Sequence, residues 1–86
     1  MHFDPTSNFI KKYKKLSEKE RVKFNERMEI FSKDEFNLIL KNHKLHGEYD
    51  GYRSINITSD LRVIYKKIGE NHYLLHIIGI HSELYE

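Results

Sequence analysis

The chain has 86 residues, no cysteine and a formal net charge of +2. This length predicts one domain over residues 1–86, and the lack of cysteine excludes disulfides and thiolate metal sites. No apolar run approaches the ~18 residues that cross a bilayer, and the N-terminus lacks a signal-peptide pattern, so we expect an intracellular protein.

The first half of the chain predicts helices. Residues 9–16 place apolar side chains at i, i+4 and i+7, which is typical of one face of a helix, and Pro5 precedes a plausible start. Residues 17–20 match a capping box, so a second helix is expected to begin there. A short third helix is predicted over residues 34–40.

The second half predicts strands. Polar and apolar residues alternate over 52–58 and 61–66, residues 68–71 form a turn, and residues 73–80 are nearly all apolar. A short leading strand at residues 2–4 has weaker support. The fold class is therefore α+β, with two or three N-terminal helices packed on one face of a three- to four-stranded antiparallel sheet. The other face, or its rim, is left for polar residues.

Five of the six histidines lie from residue 43 onward. Imidazole gives and takes protons near neutral pH, so this distribution suggests proton transfer, or binding of an anion or metal. Cleavage of RNA by its own 2′-hydroxyl needs a base, an acid and a cation. His43, His81 and Asp60 suit the proton transfers, and Arg62 suits the phosphate. Tyr85 could stack on a nucleotide base.

Other interpretations of these residues stay open. A metal site built from His43, His46 and His81 is one alternative, although the spacing is not that of a helical zinc motif. Taken singly, each polar candidate is more typical of a structural role. Asp60 could be an ordinary turn residue, and His76 lies inside an apolar strand, where a histidine usually belongs to the core.

Three segments carry a resemblance to a known family. Residues 43–57 contain the pattern HxLxGxxxGYRSIxI, residues 60–66 read DLRVIYK, and residues 79–85 contain GxHSxLY. Together with residues 9–16, these segments resemble the RelE/ParE superfamily of bacterial toxins, in particular its YafQ-like branch. The resemblance covers nearly the whole chain, and its C-terminal part is the specific one.

The resemblance implies a RelE-like toxin of a type II toxin–antitoxin system. Active members cut mRNA in the ribosomal A site without a metal or other cofactor, by 2′-hydroxyl attack. The matching positions imply His43 as general base assisted by Asp60, with His81 as general acid, although the reverse assignment of the two histidines stays open. Arg62 and Tyr85 also match functional positions of the family.

The chain departs from the YafQ-like pattern at three positions. Asn56 stands where a further histidine is frequent, Leu61 where a tryptophan is frequent, and Ile77 replaces an arginine. Because an amide cannot shuttle protons at neutral pH, these departures favour weaker or differently specific cleavage. The candidates for RNA binding are Lys44, His46, Arg53, Asn56 and Lys66.

The expected partners are a cognate antitoxin, in a heterotetramer or larger complex, and mRNA with ribosomal RNA, in the bacterial cytoplasm and without a membrane partner. We expect the antitoxin to mask the histidine and arginine surface or to displace residues 83–86. The alternative function is a non-enzymatic binding protein, either a gyrase poison of the ParE type or a degenerate toxin that only binds its antitoxin.

Overall fold

A computed structural model of the protein describes residues 1–84. The helices and strands are, in chain order, β1 (His2–Pro5), α1 (Ser7–Tyr13), α2 (Glu18–Lys33), β2 (His43–Lys44), β3 (Arg53–Asn56), β4 (Leu61–Gly69), β5 (His72–Ile80) and α3 (His81–Leu84). The predicted third helix is only a 3-10 turn, Leu38–Leu40, and a second 3-10 turn is Gly47–Tyr49. Over residues 1–84, none of the helices has the length and apolar character needed to cross a bilayer.

Both long helices begin at side-chain caps. The hydroxyl of Thr6 accepts a hydrogen bond from the Phe9 amide at 3.0 Å. At the second helix, the Ser17 hydroxyl accepts from the Glu20 amide at 3.1 Å, and the Glu20 carboxylate accepts from the Ser17 amide at 2.9 Å. Such caps satisfy amide groups that have no partner within the helix. The helix starts predicted from the sequence are therefore confirmed.

The sheet is larger and less regular than predicted. It has five strands in the order β1-β5-β4-β3-β2, and β1 runs parallel to β5 while the other pairs are antiparallel. The prediction of a purely antiparallel sheet of three or four strands is wrong. The strands β1 and β2 lie at the two edges of the sheet. They span only four and two residues, which is too few to show the alternation of apolar and polar side chains that predicts a strand.

One hydrophobic cluster joins the helices to the sheet. Phe9 of α1 and Phe31 of α2 share it with strand residues such as Ile55, Val63 and Tyr65. Side chains alternate along a strand, so the residues between these point to the opposite face. The helices and this cluster thus define one face of the sheet, which we call the helix face, and the other is the open face.

The open face is partly covered by a second, smaller hydrophobic cluster. Leu45, Ile64 and Leu84 are buried there, with Tyr49, Tyr52 and Ile77 packed against them. Leu84 belongs to α3, so the C-terminal helix folds over this face. The polar candidates therefore occupy the part of the open face that the second cluster leaves uncovered.

A bulge in β5 directs one histidine to the open face. Ile64 pairs with Ile77, whereas Tyr65 pairs with Leu75, so His76 is the extra residue. Its ring lies 4.9 Å from the Tyr52 ring. This half-buried packing agrees with the structural role expected for His76.

Candidate active site

The strand register brings several predicted site residues onto the open face. Asn56 on β3 pairs with Arg62 on β4, and His43 on β2 pairs with Ser54, two residues before Asn56. Paired residues on neighbouring strands project side by side on the same face. His43, Asn56 and Arg62 therefore share the open face.

Two further candidates lie at the end of the sheet beside Arg62. The backbone amide of His81 donates to the carbonyl of Asp60 at 3.0 Å, which ties the start of α3 to the turn before β4. The Asp60 side chain is exposed in this turn. Glu83 accepts a hydrogen bond from the Ile80 amide at 3.1 Å and fixes the first turn of α3. Tyr85, the remaining catalytic candidate, lies outside the described residues.

The two candidate histidines stand on opposite sides of Arg62. His43 belongs to β2, and His81 directly follows β5, with β3 and β4 between them. Three strand spacings correspond to about 14 Å across the sheet. The register places His43 level with Ile77, four residues or roughly 13 Å along β5 before His81, so the two backbone positions are not neighbours. A substrate would have to lie between the two imidazoles, over the strand that carries Arg62.

The His43 ring is held in one tautomer. Its Nδ1 lies 2.9 Å from the carbonyl oxygen of Lys41. A carbonyl oxygen can only accept, so Nδ1 carries the proton and the neutral ring has its lone pair on Nε2. The acceptor is the backbone carbonyl oxygen of Lys41, a residue in the left-handed conformation with a φ of 48°. His43 is exposed, so its Nε2 can receive a proton from a bound molecule.

Buried polar atoms without partners cluster around the cross-strand pair. Among residues 1–84, the Arg62 Nε, the Asn56 Oδ1 and the Ser54 Oγ are all buried with no hydrogen-bond partner, although the Arg62 Nη2 donates to the Ser59 carbonyl at 2.8 Å. Each such group costs about 1–3 kcal/mol when unpaired. Such groups are rare in native proteins, so their concentration on adjacent strands, with a donor and an acceptor both present, makes this pair a candidate site for a polar molecule.

Two more cations flank Asn56. Arg27 and Lys41 line a cavity of about 250 Å³ with Asn56 and Thr58. The Arg27 Nε donates to the carbonyl of Ile57 at 3.2 Å, and its Nη1 is buried without a partner within the described part of the chain. Sequence reasoning missed Arg27, since it projects from α2 and no spacing relates it to residues on β3.

The predicted RNA-binding residues do not all share one surface. Lys66 lies on the open face, with its Nζ 5.4 Å from the Tyr52 ring. Lys44, His46 and Arg53 line a separate cavity of about 330 Å³ at the β2 edge. Arg53 points to the helix face, where its Nε donates to the Asn42 Oδ1 at 2.7 Å. Arg53 is therefore not brought together with Asn56.

A polar network on the helix face holds the residue before His43. The Tyr65 hydroxyl donates to the Glu35 carboxylate at 2.6 Å and accepts from the Asn42 side-chain amide at 2.8 Å. The same amide nitrogen donates to the Glu35 carbonyl at 3.0 Å. Burial and the Glu35 hydrogen bond raise the pKa of Tyr65 well above its ordinary value, so the hydroxyl stays a donor. The network fixes Asn42 and thereby the start of β2.

The histidines of the metal alternative are not gathered. In the described range, the group of histidines and carboxylates close enough to share an ion is His2, Asp4 and His72. His43, His46 and His81 form no such group there.

A family model described as the YafQ toxin, a bacterial toxin of a type II toxin–antitoxin system, matches residues 1–86. The fold is similar to YafQ from E. coli (TM-score 0.78, 22% identity, 98% of this chain and 97% of that one). It is also similar to a YoeB/ParE toxin from Agrobacterium tumefaciens (TM-score 0.79, 21% identity, 94% and 99%). A third similar structure is the E. coli DinJ-YafQ toxin–antitoxin complex (TM-score 0.74, 24% identity, 98% and 96%). No curated protein matches.

Proposed function

We propose, since the chain belongs to the YafQ family of bacterial toxins of type II toxin–antitoxin systems, that it is a ribosome-dependent, metal-free endoribonuclease that cuts mRNA. One observation carries this proposal. His43, with its proton fixed on Nδ1, shares the open face with Arg62 and Asn56, whose buried polar atoms have no partner within residues 1–84. The candidate base and the candidate phosphate-binding cation thus lie on one surface.

The proposed reaction is attack by the RNA 2′-hydroxyl on the adjacent phosphate. His43 Nε2 removes the hydroxyl proton, and the new bond to phosphorus forms as the bond to the 5′-oxygen breaks. His81 protonates the departing 5′-oxygen, and Asp60 assists the proton transfers. Arg62 stabilises the negative charge that develops on the phosphate oxygens. The products are a 2′,3′-cyclic phosphate and a 5′-hydroxyl. The exchange of roles between the two histidines is an equivalent possibility.

The surroundings of the pair support binding of an RNA backbone. Arg27 and Lys41 add positive charge next to Asn56, and Lys66 adds it further along the open face. The Asn56 amide can bond to a phosphate or a base edge. Tyr85 is proposed to stack on a nucleotide base, as an aromatic side chain does for unstacked RNA. Lys44 and His46 are proposed to contact ribosomal RNA from the neighbouring edge.

An antitoxin is the proposed protein partner. YafQ of E. coli has been solved as a complex with DinJ, and YoeB of Staphylococcus aureus as a complex with YefM. We propose that a cognate antitoxin of this chain covers the open face or displaces α3, because the start of α3 carries His81. A complex that leaves His43 and His81 accessible would contradict this mode of inhibition.

The test is cleavage of an mRNA held on purified ribosomes. Wild-type chain is expected to cut within a codon and leave a cyclic phosphate. His43→Gln and His81→Gln are each expected to slow cleavage by about 10²–10⁴-fold, the usual contribution of an acid or base. His2→Gln is the matched control, since His2 lies on β1 at the far edge of the sheet. Full cleavage by both test variants would overturn the assignment.

Two further readouts separate the alternatives. Cleavage that persists with 1,10-phenanthroline, which removes transition metals but leaves ribosomal Mg²⁺, is expected here and excludes a zinc mechanism. Growth arrest on induction with intact mRNA would contradict the nuclease proposal. DNA breaks in that case would indicate a gyrase poison, and no toxicity at all would indicate a degenerate toxin that retains only antitoxin binding.

A further inference from the structure

His2, Asp4 and His72 converge at the edge of the sheet formed by β1 and β5. His2 pairs directly with His72 in the parallel register, and their ring centroids are 4.6 Å apart. Asp4 follows His2 by two residues, so its side chain lies on the same face of β1. Its carboxylate accepts from the His2 Nε2 at 3.1 Å and from the His72 Nε2 at 2.6 Å. Backbone pairing therefore brings all three side chains together.

We propose that these three residues form a binding site for one divalent transition-metal ion of the Zn²⁺ class. Two imidazole nitrogens and a carboxylate oxygen are ligands that such ions prefer. The candidate ligand atoms all lie within 4.8 Å of one another. Tetrahedral zinc bonds of about 2.0–2.2 Å to nitrogen and oxygen place the ligand atoms roughly 3.3–3.6 Å apart, so the three side chains must rearrange by about an ångström. The side chains are 66%, 50% and 37% exposed, so small rotamer shifts can achieve this.

Metal binding replaces the two hydrogen bonds to Asp4. In the metal-free site the imidazole Nε2–H groups face a carboxylate, so each ring has its proton on that nitrogen. In the metal-bound site each Nε2 must offer its lone pair, and the proton of each neutral ring moves to Nδ1. No electron is transferred. Three protein ligands leave a fourth position for water or for a side chain of a partner.

The proposed metal site is distinct from the open-face site. His72 begins β5, whereas His81 follows the last residue of the same strand. Nine residues of strand correspond to about 30 Å, so the two sites lie at opposite ends of β5. An ion bound to β1 and β5 would link the parallel edge strand to the sheet. The proposal therefore predicts an effect on stability, and it does not depend on whether the chain cuts RNA.

The test is titration of ZnCl₂ into the full chain after removal of bound metals with EDTA and dialysis. Calorimetry is expected to show one site, and the melting temperature is expected to rise as the site fills. His2→Gln and Asp4→Asn should each abolish both effects. His46→Gln is the matched control, because it removes an exposed histidine outside the cluster, and it should retain them. An unchanged melting temperature at millimolar Zn²⁺ would overturn the proposal, as would binding that survives His2→Gln and Asp4→Asn.

A second measurement identifies the ligand atoms directly and protects against a variant that simply unfolds. Long-range ¹H–¹⁵N correlation spectra of the wild-type chain report which ring nitrogen of each histidine is protonated. On addition of Zn²⁺, His2 and His72 are expected to change to the Nδ1–H form, while His46 keeps its spectrum. A change confined to His43 or His81 would place the ion elsewhere and refute the site.

Discussion

Replacing Tyr65 with phenylalanine tests whether the helix-face network determines the stability of the fold and the placement of His43. Tyr65 is fully buried, and its ring lies 5.0 Å from Phe31 in an edge-to-face arrangement. Phenylalanine keeps this ring packing and opens almost no cavity. The substitution removes only the hydroxyl, which bridges the Glu35 carboxylate and the Asn42 amide.

The expected cost follows from those two contacts. A hydrogen bond to a charged group contributes about 1.5–3 kcal/mol, and the half-buried Glu35 can recover part of this from water. Asn42 also loses one of its two acceptors. We therefore expect Tyr65→Phe to lower the free energy of unfolding by about 2 kcal/mol, which corresponds to a fall in melting temperature of roughly 8–16 °C in a domain of this size.

Urea denaturation followed by circular dichroism measures the effect, and Tyr73→Phe provides the control. Tyr73 is also buried, but its hydroxyl makes a single bond to the same carboxylate, at 3.2 Å instead of 2.6 Å. Because the longer bond is weaker, its loss should cost about 1 kcal/mol, half of the cost expected for Tyr65→Phe. Cleavage assayed well below the melting temperature should also fall for Tyr65→Phe, because Asn42 directly precedes His43. Equal destabilisation by both variants would refute the reasoning.

Three other changes give separate tests. The hydrogen bond from His72 lowers the pKa of Asp4 below its ordinary value of 3.8. In EDTA the ionised carboxylate therefore stabilises the fold at pH values above 3.8, and this stabilisation is lost as the pH falls through the lowered pKa. Asp4→Asn should make the free energy of unfolding less dependent on pH in that acid range. Gly79→Ala should lower the free energy of unfolding by about 1–3 kcal/mol and reduce cleavage, because a Cβ at this position would lie 3.2 Å from side-chain atoms of α3. A variant that unfolds at the same urea concentration as the wild-type chain would contradict this. Asn56→His places an imidazole opposite Arg62 and should accelerate cleavage. It should also add a pH dependence below the ordinary histidine range, because burial and the Arg62 charge both lower the pKa of the new imidazole. A folded variant with no gain would show that Asn56 does not face the reacting groups.

Features that depend on residues close together in the chain were predicted correctly, whereas features that depend on distant residues were missed. The capping box at Ser17 uses residues three apart, and the helix start was predicted correctly. Strand positions followed from alternation within β3 and β4. The parallel pairing of β1 depends on contacts between residues 70 positions apart, such as His2 and His72, and four residues carry no pattern that reveals their partner.

The same limit applied to the candidate site. His43, Arg62 and Asn56 were found because their residue types suit the chemistry and match a family pattern, and the structure places them on one face. Arg27 and Asn42 were missed, because the first projects from a helix that looks purely structural and the second is an ordinary loop residue. Only the folded chain shows that one adds charge beside Asn56 and the other fixes the segment before His43.

The polar side chains of the two sheet faces differ in how well their hydrogen bonds are satisfied. The satisfied groups of the helix face make that part of the fold rigid, whereas the unpaired groups of the open face suit it to bind a ligand. On the helix face, the hydroxyl of Tyr65 has a charged acceptor and an amide donor, and burial raises the cost of ionising it. On the open face, within residues 1–84, Asn56 and Arg62 each keep a buried polar atom unpaired although their backbones are adjacent. Unpaired groups in a rigid sheet lose little further entropy when a ligand forms hydrogen bonds with them. The stability that the free protein loses by leaving them unpaired is therefore recovered as binding free energy. Once a rotamer change brings these two side-chain atoms to the surface, a molecule with both phosphate oxygens and hydroxyl donors can satisfy the Arg62 donor and the Asn56 acceptor together, and an RNA backbone has this combination.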